Sequence, residues 1–347
     1  MSTTTTLKEI AAQLMRDNKG LLAMDESTNT CNKRFEEVGI PQTEEYRRKY
    51  RDLIVNTPGL GRYISGAILF DETIKQNADD GTPFVNILQR NGIIPGIKVD
   101  EGAIPMVGFP GEKITEGLDG LGERLKGYYN MGARFAKWRA VITIGAEIPS
   151  ATCIKANAYT LARYAMFCQE AGLVPIVEPE VVMDGSHSLE KCTEVTTEVL
   201  HAVFNALYQH RVDLEGMILK PNMVLPGEDS AEKPSASQVA EATIKCFLRT
   251  VPATVPGIAF LSGGQPAELA SERLNQMHVQ FGDVMPWALT FSYSRAVQQP
   301  ALEIWKGKDE NIVEAQQALL HRAACNSAAK LGKYTAEMES AGYKFQD

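Results

Sequence analysis

The strongest constraint on the fold is an alternation, repeated eight times along the 347 residues, of short apolar runs with longer amphipathic segments. Runs of this length and composition predict buried strands, and the periodicity of the segments between them predicts helices. A repeated strand-then-helix order favours parallel pairing with right-handed crossovers. The predicted strands span residues 20–26, 63–70, 93–99, 133–144, 173–180, 216–220, 257–262 and 287–294.

Eight such units close into a (β/α)8 TIM barrel, which is the α/β fold that we predict. We expect residues 1–332 to form a single barrel domain and residues 333–347 to form a flexible C-terminal tail. An open doubly wound sheet is the alternative, but neither G-x-G-x-x-G nor G-x-x-x-x-G-K-[ST] follows any predicted strand. The predicted helices include residues 42–56, 154–171, 188–210, 237–248 and 266–277, with extra N- and C-terminal helices at residues 7–16 and 312–332.

The charge and cysteine content limit the partners and the compartment. The chain has 35 Lys and Arg against 43 Asp and Glu, a net charge of −8, whereas nucleic acids and anionic membranes favour basic surfaces. No apolar stretch approaches the roughly 18 residues of a membrane span. The six cysteines are scattered without a C-x-x-C pair, which predicts reduced thiols. We therefore predict a cytoplasmic protein without nucleic-acid or membrane partners, although the mature form of a plastid protein is compatible with the same sequence.

Charged residues stand where a purely structural barrel would have apolar ones. Lys137 and Arg139 flank Trp138, so the two-residue period of a strand places both cations on one face. Glu178 and Glu180 share a face of the next strand in the same way. Because the C-terminal ends of barrel strands meet at one mouth, we expect these charges to converge there and to pair. Single charges end four other strands: Asp25, Lys98, Lys220 and Arg295.

Such a cluster supplies the groups that Schiff-base chemistry requires. A lysine must be neutral to attack a carbonyl, and a second ammonium about 4 Å away lowers its pKa. We expect Lys137 to lie beside Lys220 for this reason. Glu178 would then move the protons that form and dehydrate the carbinolamine, which is general acid–base work. Glu180 is expected to hold Lys137 in its charged form.

A second constellation predicts phosphate binding. Residues 262–264 read S-G-G at the end of the seventh strand, and a helix is predicted to begin at or just after Pro266. Glycines there allow backbone N–H groups to converge on an anion in front of a helix N-terminus, a common phosphate site in barrels. Arg295 adds a fork of donors. Lys98 and Arg139 are placed to hold a second phosphate across the mouth.

Six short motifs together closely resemble those of class I fructose-bisphosphate aldolases, and the resemblance runs in order from about residue 7 to residue 332. It implies a (β/α)8 barrel, usually a homotetramer. It also implies reversible cleavage of fructose 1,6-bisphosphate to dihydroxyacetone phosphate and glyceraldehyde 3-phosphate, without a metal or another cofactor. The motifs are LLAMDES at 21–27, GIKVD at 96–100, FAKWR at 135–139, VPIVEPEV at 174–181, LKPNMV at 219–224 and FLSGGQ at 260–265.

Carried across residue by residue, the resemblance assigns the catalytic roles. Lys220 matches the lysine that forms the Schiff base, and Glu178 matches the general acid–base glutamate. Asp25 matches the aspartate that handles the C4 hydroxyl during bond cleavage, and Lys137 and Glu180 match its charged neighbours.

The resemblance also assigns substrate-binding residues and reveals two departures. The family commonly has glycine where this chain has Ser294, which puts a backbone contact to phosphate in doubt. Familiar animal enzymes end in a tyrosine that enters the site, whereas Tyr343 is not terminal here and is left unassigned. The substrate-binding set is Ser27, Arg34, Ser262, Gly263, Gly264, Ser292 and Arg295, with Lys98 and Arg139 at the opposite end.

Three other functions compete with this one. A metal-dependent aldolase needs convergent histidines, but the five histidines show neither H-x-H nor H-E-x-x-H spacing. A pyridoxal-phosphate enzyme also uses a Schiff-base lysine and a phosphate cup, and its visible absorbance would distinguish it. A binding protein that retains the barrel without its chemistry is disfavoured by the complete set of charged residues.

Overall fold

The chain folds into a closed barrel of eight parallel strands surrounded by helices, as described for residues 5–342 by a computed structural model. This confirms the predicted (β/α)8 fold. The barrel strands are β1 (Gly20–Met24), β2 (Ile64–Leu69), β3 (Ile94–Lys98), β6 (Phe135–Ile142), β7 (Val174–Val181), β8 (Ile218–Leu219), β9 (Gly257–Phe260) and β10 (Ala288–Tyr293). Around the barrel the order is β1, β10, β9, β8, β7, β6, β3, β2.

An antiparallel hairpin was not predicted from the sequence. It consists of β4 (Gly102–Pro105) and β5 (Lys113–Glu116), and it follows β3 beside the barrel mouth. Its two strands contain few buried residues, so they lack the apolar runs that identified the barrel strands. The hairpin is fastened to β6 because the Thr115 hydroxyl donates a hydrogen bond of 2.8 Å to the Arg139 carbonyl oxygen.

The helices lie outside the barrel or across its lower end, and several begin with a side-chain cap of the type that the sequence favours. Short 3-10 turns cover Leu60–Arg62, Leu214–Gly216 and Asp309–Asn311. The helices are α1 (Leu7–Met15), α2 (Thr28–Glu37), α3 (Glu44–Val55), α4 (Asp71–Ile74), α5 (Phe84–Arg90), α6 (Leu121–Asn130), α7 (Ala151–Glu170), α8 (Leu189–Gln209), α9 (Ala236–Thr250), α10 (Ala267–Phe281), α11 (Arg295–Trp305), α12 (Ile312–Lys330) and α13 (Glu337–Ala341).

The interior of the barrel is filled with side chains, and a substrate-sized cavity lies at its mouth. A Cβ atom added to Gly96 would lie 2.2 Å from the ring of Phe135, so glycine is needed there to admit the ring. Helix α1 closes the lower end, where Leu14 and Met15 are buried against the strands. A capping box at Thr6 and Glu9 starts this helix.

The outer face of the strands packs on the surrounding helices. Trp138 is fully buried there, and the centroid of its ring lies 5.5 Å from that of Tyr164 in α7. Its neighbours Lys137 and Arg139 point the other way, into the mouth, as the two-residue period predicts. None of the helices within residues 5–342 combines the length and the apolar character needed to cross a membrane.

The segment after residue 332 is partly tied to the barrel. Within it, α13 lies over α12, where Glu339 forms an ion pair with the buried Arg322 and accepts a 2.7 Å hydrogen bond from the Tyr334 hydroxyl. The division of the chain at residue 332 stays a prediction. Tyr343 lies outside the described residues.

Candidate active site

The mouth of the barrel contains a cavity of about 670 Å³ at the C-terminal ends of the strands. Every residue that the sequence placed in the site lines this cavity. Those residues are Asp25, Ser27, Arg34, Lys98, Lys137, Arg139, Glu178, Glu180, Lys220, Ser262, Gly263, Gly264, Ser292 and Arg295.

Glu178 links the two central lysines. Its Oε1 atom lies 3.2 Å from Lys220 Nζ, and its Oε2 atom lies 3.4 Å from Lys137 Nζ. All three side chains are almost fully buried. We expected Glu178 to act on Lys220 and Glu180 to hold Lys137 charged, whereas in the structure the single carboxylate of Glu178 contacts both lysines. Lys220 therefore contacts a proton acceptor, Glu178, that also contacts a second ammonium group, that of Lys137.

Lys137 also holds a second carboxylate. Its Nζ atom lies 2.8 Å from Asp25 Oδ2 and 3.9 Å from Asp100 Oδ2. Burial opposes ionisation of Asp25, but the ammonium groups of Lys137 and Lys220 outweigh it and keep the pKa of Asp25 well below its usual range. Burial likewise opposes the charge on Lys137, yet Asp25 and Glu178 raise its pKa above the ordinary value. These two groups are therefore an ionised pair at neutral pH.

The expectation that Glu180 pairs with Lys137 is wrong. Glu180 contacts the Arg139 guanidinium, and its neighbour across the β6–β7 ladder is Val141. Since Lys137 lies opposite Ile176, Glu180 stands four residues further along the strand and nearer to solvent. The sequence analysis also missed Asp100, a carboxylate that pairs with Lys98. Its Oδ1 atom lies 2.8 Å from Lys98 Nζ. The alternation of Lys98 with Asp100 is the signal that could have placed both at the mouth.

The loop after β9, which the sequence predicts to bind phosphate, places two glycines beside Arg295. Gly263 and Gly264 have φ angles of +60° and +94°, which favour glycine. A Cβ atom on Gly264 would lie 3.2 Å from Arg295 Nη2, so the loop and the guanidinium are in close contact. Arg295 is the first residue of α11. The Ser292 hydroxyl is buried and has no hydrogen-bond partner within residues 5–342, so a phosphate oxygen would satisfy it.

A buried network behind this site contains residues that the sequence analysis did not assign. Glu26 contacts Arg34 and lies 2.8 Å from Arg51 Nη2. The Ser294 hydroxyl donates a 2.6 Å hydrogen bond to Glu26 and lies 3.3 Å from Arg34 Nη1. Burial opposes ionisation of Glu26, but Arg51 and Arg34 lower its pKa to about 2. Ser294 is thus a tether between the carboxylate and Arg34. Gln298 also donates to Glu26, at 3.1 Å.

The donor set of the mouth suits phosphates and carbonyls better than a metal. Within residues 5–342, no histidine or cysteine lines this cavity. Its buried carboxylates are each in contact with a cationic side chain. These contacts join Asp25 to Lys137, Glu26 to Arg34, Asp100 to Lys98, Glu178 to Lys220 and Glu180 to Arg139.

Comparison with known proteins finds matches over nearly the whole chain. Residues 6–346 match the family model for class I fructose-bisphosphate aldolase. A probable fructose-bisphosphate aldolase class 1 from Xanthomonas campestris is 57% identical over 94% of this chain and 98% of its own. The cytosolic fructose-bisphosphate aldolase 4 of Arabidopsis thaliana is 52% identical over 95% of this chain and 84% of its own.

A solved structure shows the same fold in detail. It is the fructose-bisphosphate aldolase of Plasmodium falciparum in complex with TRAP and a small-molecule inhibitor, with a TM-score of 0.93 and 49% identity. The match covers 95% of each chain. On the strength of the family model and these relatives, the chain belongs to the class I fructose-bisphosphate aldolase family.

Proposed function

We propose that this protein reversibly cleaves fructose 1,6-bisphosphate to dihydroxyacetone phosphate and glyceraldehyde 3-phosphate through a Schiff base on Lys220. The observation that carries the proposal is the buried contact of Lys220 Nζ with Glu178 Oε1 at 3.2 Å, beside Lys137. A primary amine, an acid–base group and a fixed cation are the minimal set for making and dehydrating a carbinolamine.

The first steps involve Lys220 and Glu178. Glu178 takes a proton from the Lys220 ammonium, and the neutral amine adds to the C2 carbonyl of the open-chain sugar. The carbinolamine then loses its hydroxyl as water with a proton returned by Glu178, leaving a protonated imine. Lys137 keeps its charge through its contact with Asp25, so it stabilises the oxygen that develops negative charge at C2.

Bond cleavage uses Asp25. Its ionised carboxylate accepts the proton of the C4 hydroxyl, the C3–C4 bond breaks, and the electron pair enters the imine to form an enamine. Glyceraldehyde 3-phosphate leaves as the aldehyde. C3 of the enamine then gains one proton while Asp25 gives up the one that it accepted, and water hydrolyses the imine, which releases dihydroxyacetone phosphate and regenerates Lys220. The low pKa of Asp25 keeps it available as a base throughout the neutral range.

The two phosphates are assigned to opposite sides of the mouth. Ser262, Gly263, Gly264, Ser292, Arg295, Arg34 and Ser27 would hold one phosphate, and Lys98 and Arg139 the other. Because these cations come from an acidic chain, they concentrate small anions locally without creating a basic surface.

Borohydride trapping tests the chemistry and the residue together. Reduction in the presence of dihydroxyacetone phosphate should add a stable mass to the peptide that contains Lys220, and Lys220→Met should abolish both the label and the activity. Lys330 is the matched control, because it is a buried lysine at the other end of the barrel, with its Nζ 2.9 Å from the Met15 carbonyl oxygen.

Two results would contradict the proposal: a label on Lys330 or another lysine, or full activity in Lys220→Met. Complete, zinc-reversible loss of activity with a chelator would instead favour the metal-dependent alternative.

We also propose that the enzyme is a cytoplasmic homotetramer. The plant relative is named a cytosolic protein, and all six cysteines are free and buried, which suits a reducing compartment. Light scattering should give four times the mass of one chain, and cell fractionation should place the protein with cytoplasmic markers. A monomer or a membrane fraction would contradict these proposals.

A further inference from the structure

Three side chains of types that commonly ligate metals converge on the outside of the barrel, away from the mouth. His321 and Cys325 lie one turn apart on α12, and α13 brings Glu339 against them. Cys325 Sγ is 3.7 Å from His321 Nε2, which is 3.6 Å from Glu339 Oε2. One ligand atom from each lies within 4.8 Å of the others. Cys325 is fully buried, and the other two side chains are at most one-fifth exposed.

We propose that His321, Cys325 and Glu339 form a zinc site that fastens α13 to α12. Zinc bonds of about 2.0–2.1 Å to nitrogen, 2.3 Å to sulfur and 2.0–2.2 Å to oxygen place tetrahedral ligands about 3.4–3.6 Å apart. The two separations above are close to this spacing, and the third, between Cys325 and Glu339, is at most 4.8 Å, so the ligand atoms need only draw together for an ion to bind. A thiolate, an imidazole and a carboxylate suit zinc, whereas magnesium and calcium prefer oxygen ligands alone.

The surroundings orient the carboxylate for this role. The Tyr334 hydroxyl donates to Glu339 Oε1 at 2.7 Å, and Arg322 Nη1 contacts both carboxylate oxygens. Arg322 is itself held by the Ser271 hydroxyl at 2.7 Å. When an ion binds at Oε2, Arg322 retains Oε1, so the carboxylate is shared between the ion and the guanidinium. Partners of this kind fix ligand orientation in metal sites.

Charge balance is compatible with an ion at this position. Zinc bound by one thiolate, one neutral imidazole and one carboxylate has no net charge, so it does not oppose Arg322. Binding removes the thiol proton of Cys325, so affinity falls at acid pH. Three protein ligands leave one coordination position for water. Histidine spacing alone did not predict this site, since its second ligand is a cysteine and its third comes from another helix.

The site is separate from the proposed chemistry, since none of its three ligands lines the mouth cavity. An ion at this site would act on the position of α13, which contains Glu339. Without an ion, Glu339 holds α13 through Arg322, His321 and Tyr334. With an ion, the contacts of Oε2 with His321 and Arg322 are replaced by one coordinate bond to an ion that His321 and Cys325 also bind, and α13 should open less often.

Cobalt titration of the full-length, reduced, metal-free protein tests the proposal. We expect one Co²⁺ per chain, with sulfur-to-cobalt charge-transfer absorption and tetrahedral visible bands that Zn²⁺ bleaches. Cys325→Ser should abolish the charge-transfer band. His321→Gln and Glu339→Gln should weaken binding by at least about 100-fold, since even outer partners contribute about 10- to 100-fold. The matched control is Cys246→Ser, because Cys246 is also buried and contacts Thr197 at 3.3 Å, but it is not part of this group of metal-binding side chains.

Two further measurements complete the test. Zinc should raise the melting temperature and slow hydrogen exchange in residues 337–341 of the wild-type and Cys246→Ser proteins, but not of the ligand variants. A chelator should reverse this stabilisation while leaving aldol cleavage intact. Absence of the charge-transfer band in the wild type, or its persistence in Cys325→Ser, would overturn the proposal. If Cys325→Ser is unfolded by circular dichroism, His321→Gln decides, and unchanged affinity there also overturns it.

Discussion

Replacing Lys137 by methionine should inactivate the enzyme by changing the protonation of its neighbours. In the native protein Lys137 Nζ lies 2.8 Å from Asp25 and 3.4 Å from Glu178. At an effective dielectric of about 20, each contact corresponds to roughly 5–6 kcal/mol of Coulomb attraction. Most of this offsets desolvation, and removing one partner of a buried pair costs about 3–5 kcal/mol net. Methionine preserves the length and packing of the side chain but not its charge.

The variant can lower this cost by protonating Asp25, which then no longer serves as a base. A penalty of about 3–5 kcal/mol corresponds to a loss of about 10²- to 10⁴-fold in kcat/KM at about 1.4 kcal/mol per tenfold. Burial raises the pKa of Asp25 once the main opposing cation is absent. The carboxylate is then ionised only at higher pH, so the residual activity of the variant should rise with pH.

The assay is kcat/KM for fructose 1,6-bisphosphate across the neutral and alkaline range, together with the rate of borohydride trapping. The double variant Lys137→Met/Asp25→Asn should recover stability without recovering activity, which separates folding from chemistry. Lys126→Met is the control, because its ion pair with Glu123 is exposed to solvent and lies away from the mouth. Activity of Lys137→Met within about tenfold of the wild type, or a flat pH profile, would refute the reasoning.

Three further outcomes follow from the phosphate side of the mouth. The pKa of Glu26 falls from 4.5 to about 2 on folding, so its ionisation contributes about 3 kcal/mol to the free energy of unfolding above pH 4.5. This contribution is lost as the pH falls towards 2. Urea titrations should therefore show that the free energy of unfolding declines with acid, and that the decline is smaller in Glu26→Gln. Equal declines in the two proteins would contradict this prediction. Gly264→Ala should raise KM for the bisphosphate several-fold, because the new side chain strains the backbone at φ +94° and crowds Arg295. The rate of borohydride trapping with unphosphorylated dihydroxyacetone should stay unchanged. An equal effect on both substrates would be the contrary result. Ser294→Gly removes the hydroxyl between Glu26 and Arg34. We expect it to lower the free energy of unfolding by about 1–3 kcal/mol, with little change in the rate of borohydride trapping. Unchanged stability would show that this tether is unimportant.

The prediction of the barrel depended on local information. Each strand is a short apolar run, and the two-residue period already separates Trp138 from Lys137 and Arg139. The hairpin β4–β5 was missed because its stability comes from contacts such as that of Thr115 with the Arg139 carbonyl, which no local pattern records.

The amino-acid sequence by itself determined which residues reach the mouth, because a strand's period and direction fix the face and the end at which each side chain emerges. Tertiary structure alone decided the partners: Glu180 with Arg139 rather than Lys137, Glu178 between two lysines, and Glu339 against His321 and Cys325. The physical reason is that ion pairing depends on separations of a few ångströms, and these depend on strand stagger and helix packing between segments far apart in the chain.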